Sequence, residues 1–178
     1  MNNLKFDIAL SFAFEEQKLV EKVYHYLKAE GLSVFYSPAP ECQSLLSGKN
    51  QREIFYYVFG MISDYAALFV SKNYIVKDVP MEEASIAFAK HSLDGKVIPI
   101  YLDNTPLPPD MLDPKSTNYF TSNNPAIIAS HIALKIKSSN AKLVKSALSN
   151  DTKYVMNING NKAEKQLFIQ NMNGSVEL

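Results

Sequence analysis

The chain has 178 residues, of which 47% are hydrophobic, so we expect one packed domain with room for a short extension. Basic and acidic side chains both number 18, and the formal net charge is zero. This balance argues against nucleic acid or an anionic membrane surface as a partner, because the protein has no global field to attract either. The single cysteine excludes an intrachain disulfide and a cysteine-built zinc site.

Two further classes of protein are disfavoured by what the sequence lacks. The three histidines are far apart and have no metal-ligand spacing, so no bound metal is expected. No apolar stretch approaches the roughly 20 residues that span a bilayer, and the first six residues do not resemble a signal peptide. We therefore expect a soluble cytoplasmic protein that does not enter a membrane.

The first three predicted elements form a β-α-β unit. Residues Phe6–Phe12 are short and largely apolar, as in a buried parallel strand, and Glu15–Glu30 carries apolar residues at helical spacing. Gly31 supplies a stop for this helix, and a second strand over Leu32–Tyr36 follows at once. The expected result is a parallel pair of strands with a right-handed crossover.

A long loop is predicted over Ser37–Gln51, which contains two prolines, a glycine and small polar residues. Long loops in compact domains are commonly functional, so this one is a candidate functional segment. The next helix is predicted over Arg52–Tyr65 and the third strand over Ala66–Ser71. The inner face of that helix is assigned to Ile54, Tyr57, Val58, Met61 and Ile62.

A third helix is predicted to begin at Pro80, because proline suits the first helical position. It runs to about His91 and turns Met81, Ala84 and Phe88 inward.

The fourth strand is predicted over Val97–Leu102. Its internal Pro99 cannot donate a ladder hydrogen bond, which favours a sheet edge or a bulge there. A short last strand near Asn118–Phe120 and a closing helix over Pro125–Lys137 complete the domain. The helix places Ile128, Ile132 and Ile136 at four-residue steps. This alternation of strands and helices predicts an α/β doubly wound sheet with helices on both faces.

The composition changes after the closing helix. Residues 1–138 are assigned to the domain, 139–149 to a polar linker, and 150–178 to a β-hairpin-like extension. Asn159–Gly160 and Asn173–Gly174 are turn dipeptides that favour hairpins. The last residues read as part of a strand, which suggests a truncated extension or the start of a further region.

Several well-known sites are absent from the strand ends, where open α/β sheets bind ligands. There is no GxGxxG after the first strand and no GxSxG elbow. Gly48–Lys49–Asn50 lacks the rest of a Walker A motif. A phosphoacceptor site would need acidic residues after the first and third strands, where Ser11 and Ser71 stand instead.

Four short segments lie in a fixed order along this frame. They are Phe6–Phe12, the Gly48–Lys49 pair, Ser71–Tyr74 and Ile98–Asp103. Together they resemble the first strand, the glycine-lysine pair, the Ser-x-x-Tyr segment and the fourth strand of bacterial TIR (Toll/interleukin-1 receptor) domains. The resemblance covers residues 4–138. It implies a flavodoxin-like fold with a parallel sheet of four to five strands.

The resemblance implies either a signalling scaffold or an enzyme that cleaves the bond between nicotinamide and ribose in NAD. In the enzymes, a glutamate near the start of the third helix is catalytic and commonly stands four residues after a tryptophan. Glu83 occupies the glutamate's place here. Val79 occupies the place of the tryptophan, and the chain contains no tryptophan.

The same resemblance implies six substrate-binding positions, which are Phe12, Phe14, Tyr36, Lys49, Ser71 and Val79. The aromatic residues would stack on nicotinamide or adenine, and Lys49 would approach a phosphate. Bond cleavage develops positive charge on the ribose, which a preorganised carboxylate stabilises.

The leading hypothesis is an NAD nucleosidase that releases ADP-ribose or a cyclic isomer, with NAD as substrate and no cofactor. The resemblance further implies antiphage defence or virulence signalling, and a homo-oligomer built through the Ser37–Gln51 loop. A non-catalytic TIR interaction module and a sensor that binds NAD without cleaving it remain open as alternatives.

Overall fold

A five-stranded parallel sheet with the strand order β2-β1-β3-β4-β5 organises the domain. The computed structural model describes residues 4–112 and 120–139. The chain divides into two compact units, Met1–Ile136 and Lys137–Leu178, and the sheet lies in the first. The strands are β1 Phe6–Ser11, β2 Val34–Phe35, β3 Ser63–Val70, β4 Val97–Tyr101 and β5 Phe120–Thr121. The predicted flavodoxin-like α/β fold is confirmed.

In the part of the chain that the structure describes, five α-helices connect and cover these strands. A single 3₁₀ turn precedes α1 and another precedes α4, at Phe14–Glu16 and Tyr74–Val76 respectively. The helices are α1 Gln17–Ala29, α2 Pro40–Leu46, α3 Gln51–Tyr57, α4 Asp78–His91 and α5 125–139. Residues 118 and 119 of the predicted last strand lie outside the described residues. The same is true of most of the predicted linker, 139–149, and of the whole predicted extension, 150–178.

The central strands β1 and β3 are buried along almost their whole length because the sheet is covered on both faces. They pair in parallel from Phe6 opposite Ser63 to Ser11 opposite Leu68. This register ends both strands at the same sheet edge. It therefore places Ser11 beside the segment that follows β3.

The prediction of a continuous loop over Ser37–Gln51 is wrong for its middle, which forms α2. Pro40 stands at the first position of α2, where its fixed φ and missing N–H are tolerated. Cys42 is fully buried and anchors the inner side of the helix. The Tyr24 hydroxyl on α1 donates to Glu41 Oε1 at 2.8 Å. These two contacts hold a polar, proline-rich segment in helical form.

The hydroxyl of Tyr24 gives a direct test of this anchoring. Tyr24→Phe is expected to weaken α2 by about 1 kcal/mol, the usual net value of such a hydrogen bond. The amides of α2 should then exchange about five-fold faster with deuterated water. Tyr26→Phe is the matched control, because Tyr26 lies on the same helix and is 48% exposed. Equal protection of α2 in the two variants would contradict the assignment.

The predicted helix over Arg52–Tyr65 is too long at its carboxyl end. The α-helical part ends at Tyr57 and continues as one π-helical turn over Val58–Ile62, after which β3 begins at Ser63. His91 Nε2 forms a hydrogen bond of 3.1 Å with the carbonyl oxygen of Phe59, which lies in this π turn. A π turn is a local departure from helical hydrogen bonding, which apolar periodicity does not reveal.

The inner face of α3 and its π turn differs from the predicted face. Ile54, Val58 and Ile62 are buried as predicted. Tyr57 and Met61 are 36% and 63% exposed, and Phe55 and Phe59 are buried in their place. The assignment of Tyr57 and Met61 to the core is therefore wrong.

Pro99 does not mark a sheet edge, because β4 lies between β3 and β5. Ala66 N donates to Lys96 O at 3.1 Å and Leu102 N donates to Val70 O at 2.9 Å, so the even-numbered residues of β4 bond to β3. Backbone groups alternate along a strand, and Pro99 consequently faces β5. The missing N–H of Pro99 therefore removes no bond to β3.

The last two helices follow their predictions closely. α4 begins at Asp78, two residues before the predicted start, and Pro80 still lies in the first turn, where N–H groups have no helical partner. Ala84 is buried, while Met81 and Phe88 are partly buried against the core. The helix α5 buries Ile128, Ile132 and Ile136 as predicted.

Candidate active site

A cavity of about 830 Å³ opens at the carboxyl ends of β1 and β2. This is the edge at which open parallel sheets bind ligands, and the volume lies in the range of small-molecule sites. Its wall is contributed by the ends of β1 and β2, by α2 and α3, and by the first turns of α4. The predicted site residues that line it are Phe12, Phe14, Lys49, Val79 and Glu83.

Glu83 is the acidic group in the cavity wall that is most shielded from water. It lies on α4 and is 8% exposed. Its Oε2 atom lies 2.6 Å from Ser11 Oγ at the end of β1. Burial raises the pKa of Glu83 to about 8, and the hydrogen bond with Ser11 opposes this rise. The free protein therefore holds Glu83 largely protonated at neutral pH.

A second hydroxyl stands behind Ser11. Tyr74 is fully buried, and its Oη atom lies 2.7 Å from Ser11 Oγ. The same hydroxyl donates to the carbonyl oxygen of Pro80 at 2.9 Å. Burial and the nearby Glu83 raise the pKa of Tyr74 well above its usual value, so Tyr74 remains protonated. Residues of β1, of the segment after β3 and of α4 thus meet at one point.

Ser71 has a supporting position and does not line the cavity. Its hydroxyl donates to Glu16 Oε1 at 2.8 Å and accepts from the backbone N–H of Tyr74 at 3.2 Å. The Asn73 side chain donates to the same Glu16 oxygen at 3.1 Å. These bonds tie the 3₁₀ turn before α1 to the segment that carries Tyr74. Ser71 therefore positions the Tyr74 backbone.

The two flanks of the cavity are also joined by an ion pair. Lys77 Nζ lies 2.9 Å from Glu15 Oε1, which links the start of α4 to the 3₁₀ turn before α1. Both side chains are partly exposed, so the pair contributes little to stability. It does occupy the Lys77 ammonium group, which leaves Lys49 as the exposed cation on the opposite rim.

Tyr36, like Ser71, lies behind the cavity wall and does not line the cavity. It is 3% exposed, and its ring stacks on Phe12 with centroids 5.5 Å apart. Tyr24 stacks on its other side at 4.9 Å. Only Phe12 of these three lines the cavity. The two tyrosines therefore fix the plane of the Phe12 ring that a ligand would meet.

The outer rim is apolar and open. Phe14 is 77% exposed and Val79 is 39% exposed, and both line the mouth of the cavity. Glu82, which follows Met81 on α4, forms an ion pair with Arg52 on α3. Glu82 is thus paired at the surface, whereas its neighbour Glu83 points to the interior.

The family resemblance singles out Glu83 but does not predict its two hydroxyl partners. Ser11 lies in the first-strand segment and Tyr74 ends the Ser-x-x-Tyr segment, but neither is predicted to contact Glu83. A polar residue at the end of a buried strand is the one signal that could have indicated Ser11. The available chemistry is that of a buried carboxyl group facing an aromatic wall, with a cation at the rim.

The described residues lack two kinds of feature. Within 4–112 and 120–139, no group of three His, Cys, Asp or Glu side chains is arranged to hold a metal ion. In the same part of the chain, no helix has the length and apolar character to cross a bilayer.

Three comparisons with known proteins agree with this architecture. The model of the TIR domain family matches residues 8–129. A 3′ cyclic ADP-D-ribose synthase of Aquimarina amphilecti, AaTIR, is 33% identical over 106 residues. That match covers 58% of this chain and 32% of AaTIR, so the chain aligns with about a third of that relative.

The comparison with solved structures gives the same fold. The TIR domain of the Toll-related receptor TRR-2 from Hydra magnipapillata superposes with a TM-score of 0.52 at 14% sequence identity. The match covers 66% of this chain and 84% of the receptor domain, and at this identity it shows the fold alone. The order of strands, the position of the cavity and the family match over residues 8–129 together establish that this chain belongs to the TIR-domain family.

Proposed function

We propose that the protein cleaves the bond between nicotinamide and ribose in NAD, with Glu83 as the catalytic residue. The observation that carries the proposal is the buried Glu83 carboxyl group in the wall of a cavity of about 830 Å³. An ionised carboxylate shielded from water stabilises a developing positive charge more strongly than one in solvent. The similarity to AaTIR supports NAD as the substrate class.

The reaction breaks the bond between ribose C1′ and the nicotinamide ring nitrogen. The bonding electrons go to the ring nitrogen, which loses its positive charge, and the ribose becomes oxocarbenium-like. Water then adds to C1′ and releases a proton, which gives ADP-ribose. If a hydroxyl group of the same molecule adds to C1′ in place of water, the product is a cyclic isomer.

Glu83 has to be ionised to stabilise this charge, although the free site keeps it protonated. The cationic nicotinamide ring of NAD supplies a positive charge inside the cavity. An opposite charge within about 4–6 Å lowers the pKa of a carboxyl group. NAD binding therefore promotes the loss of the Glu83 proton, and the carboxylate forms where it is used.

The other cavity residues have roles that follow from their positions. Phe12 presents a ring held in place by Tyr36, which suits stacking against nicotinamide or adenine. Phe14 and Val79 form an apolar rim, and Lys49 offers its charge to a phosphate. Ser71 and Tyr36 act from behind the wall.

The open rim suits completion of the site by a second copy of the chain. In this proposal the Ser37–Gln51 segment, which contains α2, contacts the neighbouring copy and narrows the cavity mouth. Activity then depends on self-assembly, as in antiphage defence or virulence signalling by bacterial TIR proteins.

The test is nicotinamide release from NAD over a series of protein concentrations. We expect release to rise more steeply than the protein concentration, and Glu83→Ala to lower it by at least about 100-fold. Glu82→Ala is the matched control, because it removes the adjacent carboxylate that faces Arg52. NAD left intact by concentrated, folded protein would overturn the proposal, as would full activity in Glu83→Ala.

A non-catalytic interaction module is the second candidate. It is favoured by Val79, which stands where the enzymes commonly carry tryptophan and offers a ligand a smaller side chain with no aromatic ring. A sensor that holds NAD without cleaving it is the third. Calorimetric titration with a non-hydrolysable NAD analogue separates these two, since a pure scaffold gives no binding heat and a sensor saturates.

A further inference from the structure

Glu83, Ser11, Tyr74 and the Pro80 carbonyl group form a closed hydrogen-bonded ring. The three contacts measure 2.6 Å between Glu83 and Ser11, 2.7 Å between Ser11 and Tyr74, and 2.9 Å between Tyr74 and Pro80. Pro80 lies three residues before Glu83 on α4, so one turn of that helix closes the ring. All four residues are buried.

The number of protons in this ring depends on Glu83. The Pro80 carbonyl oxygen only accepts, and the two hydroxyl groups of Ser11 and Tyr74 bring one proton each. When Glu83 is ionised, only the two hydroxyl protons of Ser11 and Tyr74 are available for the three hydrogen-bond contacts, so one contact has no donor. With Glu83 protonated, Glu83 donates to Ser11, Ser11 to Tyr74, and Tyr74 to Pro80. The protonated form thus satisfies every contact in the ring.

Loss of the Glu83 proton requires the Ser11 hydroxyl to turn. It then donates to the carboxylate, and Tyr74 is left to donate to either Ser11 or Pro80. We infer that Ser11 and Tyr74 are positioning residues for Glu83, which hold its carboxyl group against the cavity wall and set which protonation state the free site favours. The effect on catalysis rests on the proposed function, whereas the effect on the ionisation of Glu83 does not.

The charged groups around the ring leave Glu83 as its titrating member. Tyr74 stays protonated because burial raises its pKa. Lys77 pairs with Glu15, and Glu16 accepts from Ser71 and Asn73. Lys49 and Asp78 line the cavity from exposed positions. Burial and Ser11 are the two influences on the pKa of Glu83.

The inference predicts opposite shifts for two variants. Ser11→Ala removes a hydroxyl whose hydrogen bond to the charged carboxylate is stronger than a bond between neutral groups, so the pKa of Glu83 should rise by about one unit. Tyr74→Phe removes the acceptor that draws the Ser11 proton away from Glu83, so the pKa should fall. The measurement is a carbon-13 NMR titration of protein labelled at the glutamate side-chain carboxyl groups, with Glu83→Gln used to assign the resonance.

The control is Ser63→Ala, because Ser63 is also a buried serine on the sheet and lies outside the ring. It should leave the titration of Glu83 unchanged. Unchanged or equal shifts in the two ring variants would overturn the inference. If Tyr74→Phe does not fold, Ser11→Ala decides alone, and an unshifted pKa in that variant overturns it.

The titration needs no NAD, so its outcome is independent of whether the protein is an enzyme. Where nicotinamide release is measurable, the pH at which kcat reaches half its maximum should move in the same direction as the pKa in each variant. A merely structural role would lower kcat without moving that pH.

Discussion

Glu83→Gln is expected to be more stable than the wild type at alkaline pH, by several kcal/mol at pH 9. The pKa of Glu83 is raised from 4.5 to about 8 by burial, so the folded protein retains a proton that the unfolded chain loses above pH 4.5. This contribution to stability is fully present below pH 4.5 and is lost as the pH rises through about 8. Each pKa unit corresponds to about 1.4 kcal/mol.

Glutamine removes this dependence because it does not titrate and can donate to Ser11 as the protonated acid does. The measurement is denaturant unfolding of both proteins from pH 5 to pH 9. Glu82→Gln serves as the control, since Glu82 is paired with Arg52 at the surface and its variant should follow the wild-type curve. Parallel curves for the wild type and Glu83→Gln would show that Glu83 is not held protonated.

Phe59→Ala is expected to lower the free energy of unfolding by about 3–5 kcal/mol, the usual cost of removing a buried aromatic ring. Phe59 lies in the π turn, is fully buried, and makes an edge contact with Phe35 at 6.3 Å. Denaturant unfolding at neutral pH gives the value directly.

Met61→Ala is the matched control on the same turn. Met61 is 63% exposed, so its truncation should change the free energy of unfolding by no more than about 0.5 kcal/mol. The pair tests the helix face seen in the structure against the face that periodicity predicts. A larger loss for Met61→Ala than for Phe59→Ala would support the periodic face.

The order of strands and helices was predictable because each buried strand is a short apolar run bounded by polar residues, glycine or proline. The predictions were wrong where specific contacts between residues, which the hydrophobic pattern does not show, determine the local structure. α2 depends on a buried cysteine and on a hydroxyl supplied by Tyr24, which lies 17 residues before Glu41. Pro99 is tolerated inside the sheet because of the side to which its missing N–H would point.

The candidate site was predictable only in part, for a related reason. Glu83 and four further lining residues, Phe12, Phe14, Lys49 and Val79, were named by the family resemblance, which rests on short motifs near the strand ends. The contacts of Ser11 join residues 63 and 72 positions apart along the chain. No local pattern specifies such contacts, since they depend on the register between β1 and β3.

That register also has a consequence for synthesis on the ribosome. β1 pairs with β2 at only two positions and needs β3 for the rest of its hydrogen bonds. Phe6 pairs with Ser63, which the ribosome adds to the chain roughly 3 to 11 seconds after Phe6 at elongation rates of about 5–20 residues per second. During that interval the nascent chain exposes an apolar strand edge, and we expect it to be a target for chaperones that shield such segments.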